Sequence, residues 1–576
     1  MIRGYGRQAV QAAEERPLAA GRPLMRWAAR GIAAAVREEL DDLATPRSTA
    51  RVLVLVGGGN NGGDGLFAAG LLAERGVVVS ALLLREQVHA DGLAFARRHG
   101  VRILHAGSHD GDPHLPGAVS GTGAQPVENP DGVPHLPNIP DDCEWAGEAR
   151  HAHVWVDAMA GIGVRGGLRG PSAVVAGVLE QIRSIRSTQS SASSVRVIAV
   201  DTPSGLGADD GVVPGPVLRA DRTVTMGAMK AGLLLPPAAG LAGRVEVLDL
   251  GLQSEIATQP VAVERLEAAD VARLWPVPVE SDHKYTRGVL GVVAGSATYP
   301  GAAVLTVGAA LRTGCGMVRY LPGDAPEVAD RVLDHYPETV TAPGRVQALV
   351  LGPGLSVEAD RDRVRAQVAE ADELAGAAGA PLPALVYDAG ALAALPQDPQ
   401  VNRRRRIVLT PHAGELAELL TARGTPVDRS EVEGDPARWV RTAVEVTGAT
   451  VLLKGAITLV AGPEGSPFES TSADGSPLRS TGSGFERGNG IRTGAAVLLS
   501  QAGGPPWLAT AGSGDVLAGI LGALLATSEA PVPLLAAMAA LVHGRAAHRA
   551  NPGGPVTPSD LIRALPGTLA QILTLR

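Results

Sequence analysis

Residues 51–73 read RVLVLVGGGNNGGDGLFAAGLLA, and this stretch decides the fold. An apolar run of six ends abruptly in glycine, and beyond the glycines the apolar residues recur at helical spacing. Strand, glycine turn and helix form the repeating unit of a parallel sheet wound with helices. The unit leaves backbone N–H groups at a helix N-terminus, where a phosphate can sit. Asn60, Asn61 and Asp64 add side-chain oxygens to an otherwise anion-binding turn. Such a turn can also serve packing alone, so the rest of the chain has to decide what it holds.

On the N-terminal side, LMRWAARGIAAAVREEL (Leu24 to Leu40) spaces apolar residues as a helix packed on a sheet would. On the C-terminal side follow VVVSALLL (Val77 to Leu84), VWVDA (Val154 to Ala158), VRVIAVD (Val195 to Asp201), RTVTM (Arg222 to Met226) and RVEVLDL (Arg244 to Leu250). Short β-branched runs separated by helical patterns indicate an α/β domain with a parallel sheet. Residues 106–149, rich in Gly, Pro, His and Asp and carrying PHLP twice, read as an insertion; the spread of their histidines favours solvated side chains over metal ligands. SIRSTQSSASS (Ser184 to Ser194) reads as a polar loop.

Length and composition bound the rest. At 576 residues the chain needs two or more domains. With 45% hydrophobic and 19% charged residues and a net charge of -8, it has the balance of a globular protein without the basic footprint of a nucleic-acid or anionic-membrane binder. No stretch reaches the ~18 apolar residues of a spanning helix, and the N-terminal thirty residues lack a signal-peptide core. Cys143 and Cys315, the two cysteines, form no metal-ligand spacing. A reducing, cytoplasmic setting is expected.

Three strand ends converge in the first half: Asn60, Asn61 and Asp64 after the first strand, Asp157 in VDAMAGIGVRGGLRG, and Asp201 to Gly205 in VDTPSG. Ligands of open parallel sheets sit outside the carboxyl ends of strands. Asn, Asp and Ser oxygens suit a hard cation, which would offset substrate phosphate charge. Either aspartate alone could instead cap the turn that follows it.

GGGNNGGDG, VDAMAGIGVRGGLRG and VDTPSGL, in this order, resemble the N-terminal epimerase domain of the bifunctional NAD(P)H-hydrate repair enzymes, over residues 1–255. The resemblance implies a Rossmann-like three-layer domain. It implies that Asn60, Asn61, Gly62, Gly63 and Asp64, together with Gly161, Ile162, Gly163, Val164, Arg165, Gly166 and Gly167, contact the hydrated nucleotide. It further implies that Asn61, Asp157 and Ser204 hold K+, and that Asp201 contacts the substrate. A carboxylate there can shuttle the proton that interconverts the two configurations at the hydroxyl-bearing carbon, so Asp201 is the candidate catalytic group.

A hinge is expected within residues 253–279, where helical AVERLEAADVARLW (Ala262 to Trp275) gives way to PVPV. A second sheet then begins in HKYTRGVLGVVAGSATYPGAAVLTVGAALRTGCG (His283 to Gly316). It continues through VQALVLGPGL (Val346 to Leu355), ALVYDAGAL (Ala384 to Leu392), IVLTPHAGEL (Ile407 to Leu416) and TVLLKGAITLV (Thr450 to Val460). These runs end in Gly, His, Lys or Asp, which suggests a ligand-binding edge. LATAGSGDVLAGILGALLA (Leu508 to Ala526) places small residues at the start of a long apolar helix, whose free N–H groups and dipole face any phosphate there. Asp515 stands beside this anion hole and suits removal of a proton from a hydroxyl being phosphorylated.

GPGL, DAG, PHAGE, KGAIT and AGSGDVLAG resemble the ribokinase-like dehydratase domain of the same enzymes, over residues 280–576, with an expanded loop at 464–504. By this resemblance Ala302, Gly354, His412 and Asp515 contact the hydrated cofactor. Lys454, Gly455, Ala456, Ile457, Thr458 and Gly514 contact the adenine nucleotide, and Asp515 is catalytic. The resemblance implies epimerisation of R and S NADHX or NADPHX, then dehydration of the S form at the expense of ADP or ATP, with Mg2+ accompanying the nucleotide. ADP is the expected donor and a homo-oligomer the expected assembly. The competing reading is a ribokinase-type small-molecule kinase fused to a non-catalytic Rossmann-like binding module. The paired PHAGE and KGAIT motifs, and the presence of Asn61, Asp157, Asp201 and Ser204, argue against it.

Overall fold

The computed structural model describes residues 1–106, 144–163, 166–189, 195–322, 326–356, 360–463 and 498–576. Val164 and Arg165, most of the stretch 106–149 and residues 464–497 of the expanded loop lie outside them. The chain divides into two compact units, Gly4–Ala262 and Met1–Arg3 with Val263–Arg576.

Strand β1 (Ile2–Tyr5) precedes the helix Arg7–Ala19. The first unit is built on β2 (Arg51–Val56), β3 (Val78–Leu83), β4 (Arg102–His105), β5 (Val154–Ala158), β6 (Arg196–Val200), β7 (Arg222–Met226) and β8 (Arg244–Leu248). Their order is β4-β3-β2-β5-β6-β7-β8 and each pairing is parallel, as continuous apolar runs buried on both faces require. The central strands β2 and β5 are buried from Val52 to Val56 and from Val154 to Ala158, whereas the edge strands β4 and β8 are partly exposed. Strand order reverses between β2 and β5, where Val56 pairs with Ala158. That reversal opens a crevice at the strands' carboxyl ends, the ligand position of doubly wound sheets.

The second unit adds β9 (Val261–Arg265), β10 (Val289–Val293), β11 (Met317–Tyr320), β12 (Ala348–Leu351), β13 (Ala384–Tyr387), β14 (Ile407–Leu409), β15 (Thr450–Leu453), β16 (Thr458–Ala461) and β17 (Leu498–Gln501). The sheet runs β1-β9-β17-β16-β15-β14-β13-β12-β10-β11. From β15 to β11 it is parallel; β16 pairs antiparallel with both β15 and β17. The helix Ser513–Thr527 is buried from Val516 to Ala526 and packs on the helix Pro300–Thr313 and on β10, β12 and β13. Gly519 permits this approach: a methyl group there would lie 2.4 Å from the Thr306 carbonyl oxygen.

Four local expectations need correction. Ala262 to Trp275 is not one helix: β9 precedes the helix Ala268–Leu274, which a capping box between Glu267 and Asp270 starts. The loop expected from Ser184 is helical as far as Gln189, because the helix Pro171–Gln189 is held by buried Val175, Leu179 and Ile182. Thr450 to Val460 folds as two antiparallel strands, turning at Lys454 to Ile457. Both expanded stretches end in regular structure, the first in the helix Glu144–His151 and the second in β17.

Candidate functional site

In the first unit, the loop after β2 and the loop after β5 interlock by backbone contact. A methyl group on Gly57 would lie 1.8 Å from the Met159 carbonyl oxygen, and one on Gly62 would lie 2.1 Å from the Gly57 carbonyl oxygen. No side chain fits at either position. The helix Asn60–Ala73 begins inside the loop, so its first N–H groups face the crevice. A cavity of about 970 Å3 opens there, lined among others by Asn60, Asn61, Asp64, Gly161, Ile162, Gly163, Gly167 and Asp201. These members of the two glycine motifs thus come together with Asp201, whereas Gly62, Gly63 and Gly166 are not in the cavity wall.

Asp157, fully buried at the end of β5, accepts hydrogen bonds from the Ser204 hydroxyl (2.6 Å), the Ser204 amide (2.8 Å) and the Met159 amide (3.3 Å). Burial pushes its carboxyl up to about 6 against the pull of those donors, and no cationic side chain pairs with it among the described residues. The Asn61 side chain lies against Gly161, and its buried Nδ2 has no partner. An amide flip exchanges that atom for the carbonyl oxygen. Asp157 and Ser204 therefore form a buried oxygen-bearing pair without a cationic side chain, while Asn61 is placed by its contact with Gly161.

Asp201 occupies the left-handed region at φ 67, which few non-glycine residues adopt. Its carboxylate accepts from Lys230, from the Met226 amide at 3.0 Å and from Thr225 Oγ1 at 3.3 Å. Lys230 is almost wholly buried and also donates to the Met226 carbonyl at 2.7 Å. Glu14 lines the cavity from the helix Arg7–Ala19, and Asp64 enters from the helix Asn60–Ala73. Burial, then the charges of Asp201 and Glu14, hold the Asp64 carboxyl well above the usual carboxylate range, with Lys230 opposing. Burial likewise raises Glu14, opposed by Lys230 and aided by Asp201.

The second unit builds its cluster from three strand ends and the first turns of two helices. Asp388, after β13, accepts from Thr410 Oγ1 at 2.7 Å and from Lys454 Nζ at 2.9 Å. Lys454 also pairs with Glu415 at 3.6 Å. Burial works against the ammonium, but Asp388 and Glu415 hold it above its ordinary value. Lys454 Nζ lies 3.6 Å from where a methyl group on Gly514 would stand, which joins KGAIT to the start of the helix Ser513–Thr527. Asp515 sits in that helix's first turn; burial, then the charge of Asp388, push its carboxyl up to about 7, with Lys454 pulling the other way. Gly512 caps the helix at φ 87, and a methyl group there would press on Leu305. His543 is buried and kept neutral, its pKa driven down to about 4, and its Nε2–H donates to the Ser513 carbonyl at 2.9 Å.

Ala302 and Gly354 adjoin: a methyl group on Gly354 would lie 2.6 Å from the Ala302 Cβ. His412 is half exposed and caps the helix Ala413–Ala422, its Nδ1 accepting from the Glu415 amide at 3.1 Å. Parallel bridging of His412 to Lys454 brings PHAGE beside KGAIT, whose Gly455 and Ala456 are exposed at the hairpin turn before Ile457 and Thr458.

Glu14, Lys230, Asp388 and Glu415 were not among the sequence candidates. One signal could have found the lysines: only three of the 51 basic residues are lysine, Lys230, Lys284 and Lys454, and two of these, one buried and one half-buried, pair with an aspartate. A compact ammonium fits one carboxylate in a space that a guanidinium fork would overfill. Among the described residues, no cluster of three or more His, Cys, Asp or Glu could hold a metal ion.

A family model described as YjeF-related protein N-terminus matches residues 21–232, and one described as NAD(P)H-hydrate dehydratase matches residues 290–485 and 491–566. A bifunctional NAD(P)H-hydrate repair enzyme of Mycobacterium leprae (strain TN) is 36% identical over 552 residues, covering 94% of this chain and 92% of its own length. An NAD(P)H-hydrate epimerase of Clavibacter michiganensis subsp. michiganensis (strain NCPPB 382) is 39% identical over 266 residues, 46% of this chain and 96% of that relative. The crystal structure of an ADP/ATP-dependent NAD(P)H-hydrate dehydratase from Bacillus subtilis, co-crystallized with ATP/Mg2+, is similar at 22% identity and a TM-score of 0.41, over 53% of this chain and 97% of that one. With both halves matched and a relative aligned along nearly the whole length of each chain, this chain belongs to the family of bifunctional NAD(P)H-hydrate repair enzymes.

Proposed function

We propose that the first unit interconverts the R and S forms of NADHX or NADPHX and that the second dehydrates the S form to NADH or NADPH, using ADP or ATP and releasing phosphate with AMP or ADP. The observation that carries this reading is the presence in one chain of both sites: the acid-lined cavity at the β2/β5 crevice and Asp515 at an N-capped apolar helix beside Lys454. In the first unit, the N–H groups at the start of the helix Asn60–Ala73 and the loop Gly161 to Gly167 bind the nucleotide phosphates. Asp201, fixed by Lys230, faces the hydroxyl-bearing ring carbon as a proton-transfer group. Asn61, Asp157 and Ser204 fit K+, which would supply the positive charge that the buried Asp157 lacks.

In the second unit Asp515 takes the proton of the substrate hydroxyl as that oxygen attacks the terminal phosphate of the nucleotide. The N–H groups of Gly512 to Gly514 and the helix dipole hold the moving phosphoryl group. His543 fixes the Ser513 carbonyl and so the first turn on which those donors sit. Mg2+ bound to the nucleotide would offset phosphate charge. Phosphate then leaves as the adjacent ring carbon loses a proton, which restores the double bond. Ala302, Gly354 and His412 position the hydrated cofactor; Lys454 to Thr458 and Gly514 position the adenine nucleotide, with ADP the donor. A cytoplasmic homo-oligomer completes the reading; no described helix is long and apolar enough to cross a membrane.

Incubating the purified chain with mixed R and S NADHX and ADP tests this. Full recovery of the absorbance of reduced nicotinamide, with one phosphate released per turnover, is expected. A stable phosphorylated product would instead favour a ribokinase-type kinase.

A further inference from the structure

The cavity of the first unit is lined by four carboxylates, Glu14, Asp64, Glu86 and Asp201, against two arginines, and of these acids Asp201 alone is paired with Lys230. Lys230 commits its ammonium to Asp201 and the Met226 carbonyl. Glu14 and Asp64 share the same space, and among the described residues neither carboxyl takes part in a hydrogen bond; Asp64 Oδ1 is a buried acceptor without a partner. Burial raises both carboxyls, the charges of Asp201 and Glu14 add to this at Asp64 and that of Asp201 at Glu14, so the cluster favours holding a proton. Arg85 and Arg169 line the cavity too, with Glu86 beside Arg85.

Glu14 is the better placed of the two to give that proton away. Gln11, Glu14 and Leu18 follow one another at intervals of three and four, so one face of the helix Arg7–Ala19 forms a wall of the cavity. The adjoining face, with Ala9, Val10 and Ala13 buried, packs with Tyr5, Ala228 and Ile256. The carboxyl is therefore held on a fixed element, within the cavity, and free of internal bonds.

We infer that Glu14 is the second proton-transfer residue of the first unit, acting on the substrate hydroxyl together with Asp201. This rests on the epimerase reading above. Hydration of an enamine leaves the hydroxyl on the carbon beside the ring nitrogen. Protonated Glu14 gives its proton to that hydroxyl; the C–O bond breaks, its electron pair leaves with water, and the nitrogen lone pair forms C=N+. Water returns to either face of the carbon, forming a new C–O bond, and a carboxylate of the Glu14 and Asp201 pair takes the released proton. Proton exchange between the two restores the starting state, so nothing is consumed.

Epimerisation followed by NMR without ADP, so that the second unit is idle, tests this. Glu14→Gln is expected to lower kcat by about 100-fold, the usual scale of general acid-base catalysis, with KM within threefold of the parent and ADP-driven dehydration of S-NADHX unchanged. Glu14→Asp is expected to recover part of the lost kcat. Epimerisation by Glu14→Gln within threefold of the parent, or a loss confined to KM, would overturn the inference. A parent chain that does not epimerise at all would overturn the epimerase reading instead.

Discussion

Each unit sets one lysine among carboxylates, buried in the first and half-buried in the second, yet the two clusters dispose of their excess charge differently. In the first, Lys230 is locked to Asp201 by a direct ion pair, and burial holds the Glu14 and Asp64 carboxyls above their ordinary values with no ion pair of their own among the described residues. In the second, Lys454 lies between Asp388 and Glu415, and its remaining field reaches Asp515. A proton kept in reserve suits a reversible exchange at carbon. A carboxyl brought close to neutrality suits a base that must accept a proton once per phosphoryl transfer. The lysine's second partner, rather than the lysine itself, separates the two chemistries.

The comparison breaks most sharply at Asp515. Asp515→Asn is expected to reduce dehydration by about 1,000-fold and leave epimerisation intact; a parallel loss of both would mean that the units do not work separately. Because the base must be ionised and its pKa stands at about 7, the dehydration rate of the parent should fall as pH drops below about 7 and level off above it. Lys454→Met sharpens the point. Removing the ammonium removes a positive charge that lowers the Asp515 pKa, so the acidic limb of the dehydration profile should move to higher pH, and nucleotide affinity should fall by about tenfold, the scale of one charge-assisted contact.

Smaller effects test the supporting parts. Exchanging KCl for choline chloride is expected to lower the melting temperature of the first unit by about 3 °C, as loss of a bound stabilising ligand does; Asp157→Asn should abolish the difference. The smallest change is expected from His412→Ala. Loss of its cap on the helix Ala413–Ala422 should cost about 1 kcal/mol in denaturant unfolding, and KM for the hydrated cofactor should rise severalfold. Stability lost without any change in KM would reduce His412 to a helix cap.

The sheets were legible because buried parallel strands leave unbroken apolar runs, as in RVLVLV and VWVDA, each closed by the residues of a site. Where apolar patterning is short, the reading failed: VAVER at β9 is too brief to separate from the helix after it, and the turn inside TVLLKGAITLV carries no proline. The polar SIRSTQ remained helical because its buried face lies one and two turns earlier. Glycine motifs announced themselves, since backbone contacts of 2 Å admit nothing larger. Glu14 and Lys230 did not, because a lone charge gains meaning only from partners 187 and 29 residues away in Asp201. Asp388 lay within a quoted motif but owes its place to Thr410 and Lys454, which no local pattern links to it.

The left-handed backbone at Asp201 also acts as a filter on change. Glycine, asparagine and aspartate tolerate that conformation at little cost, while β-branched and bulky side chains do not. Drift at position 201 is thereby confined to a few residues before any selection on activity begins. Of these, glycine and asparagine leave Lys230 buried without its carboxylate partner. Backbone and electrostatics each narrow the choice independently, so that an inactive lineage would be expected to lose Asp201 and Lys230 together rather than one at a time.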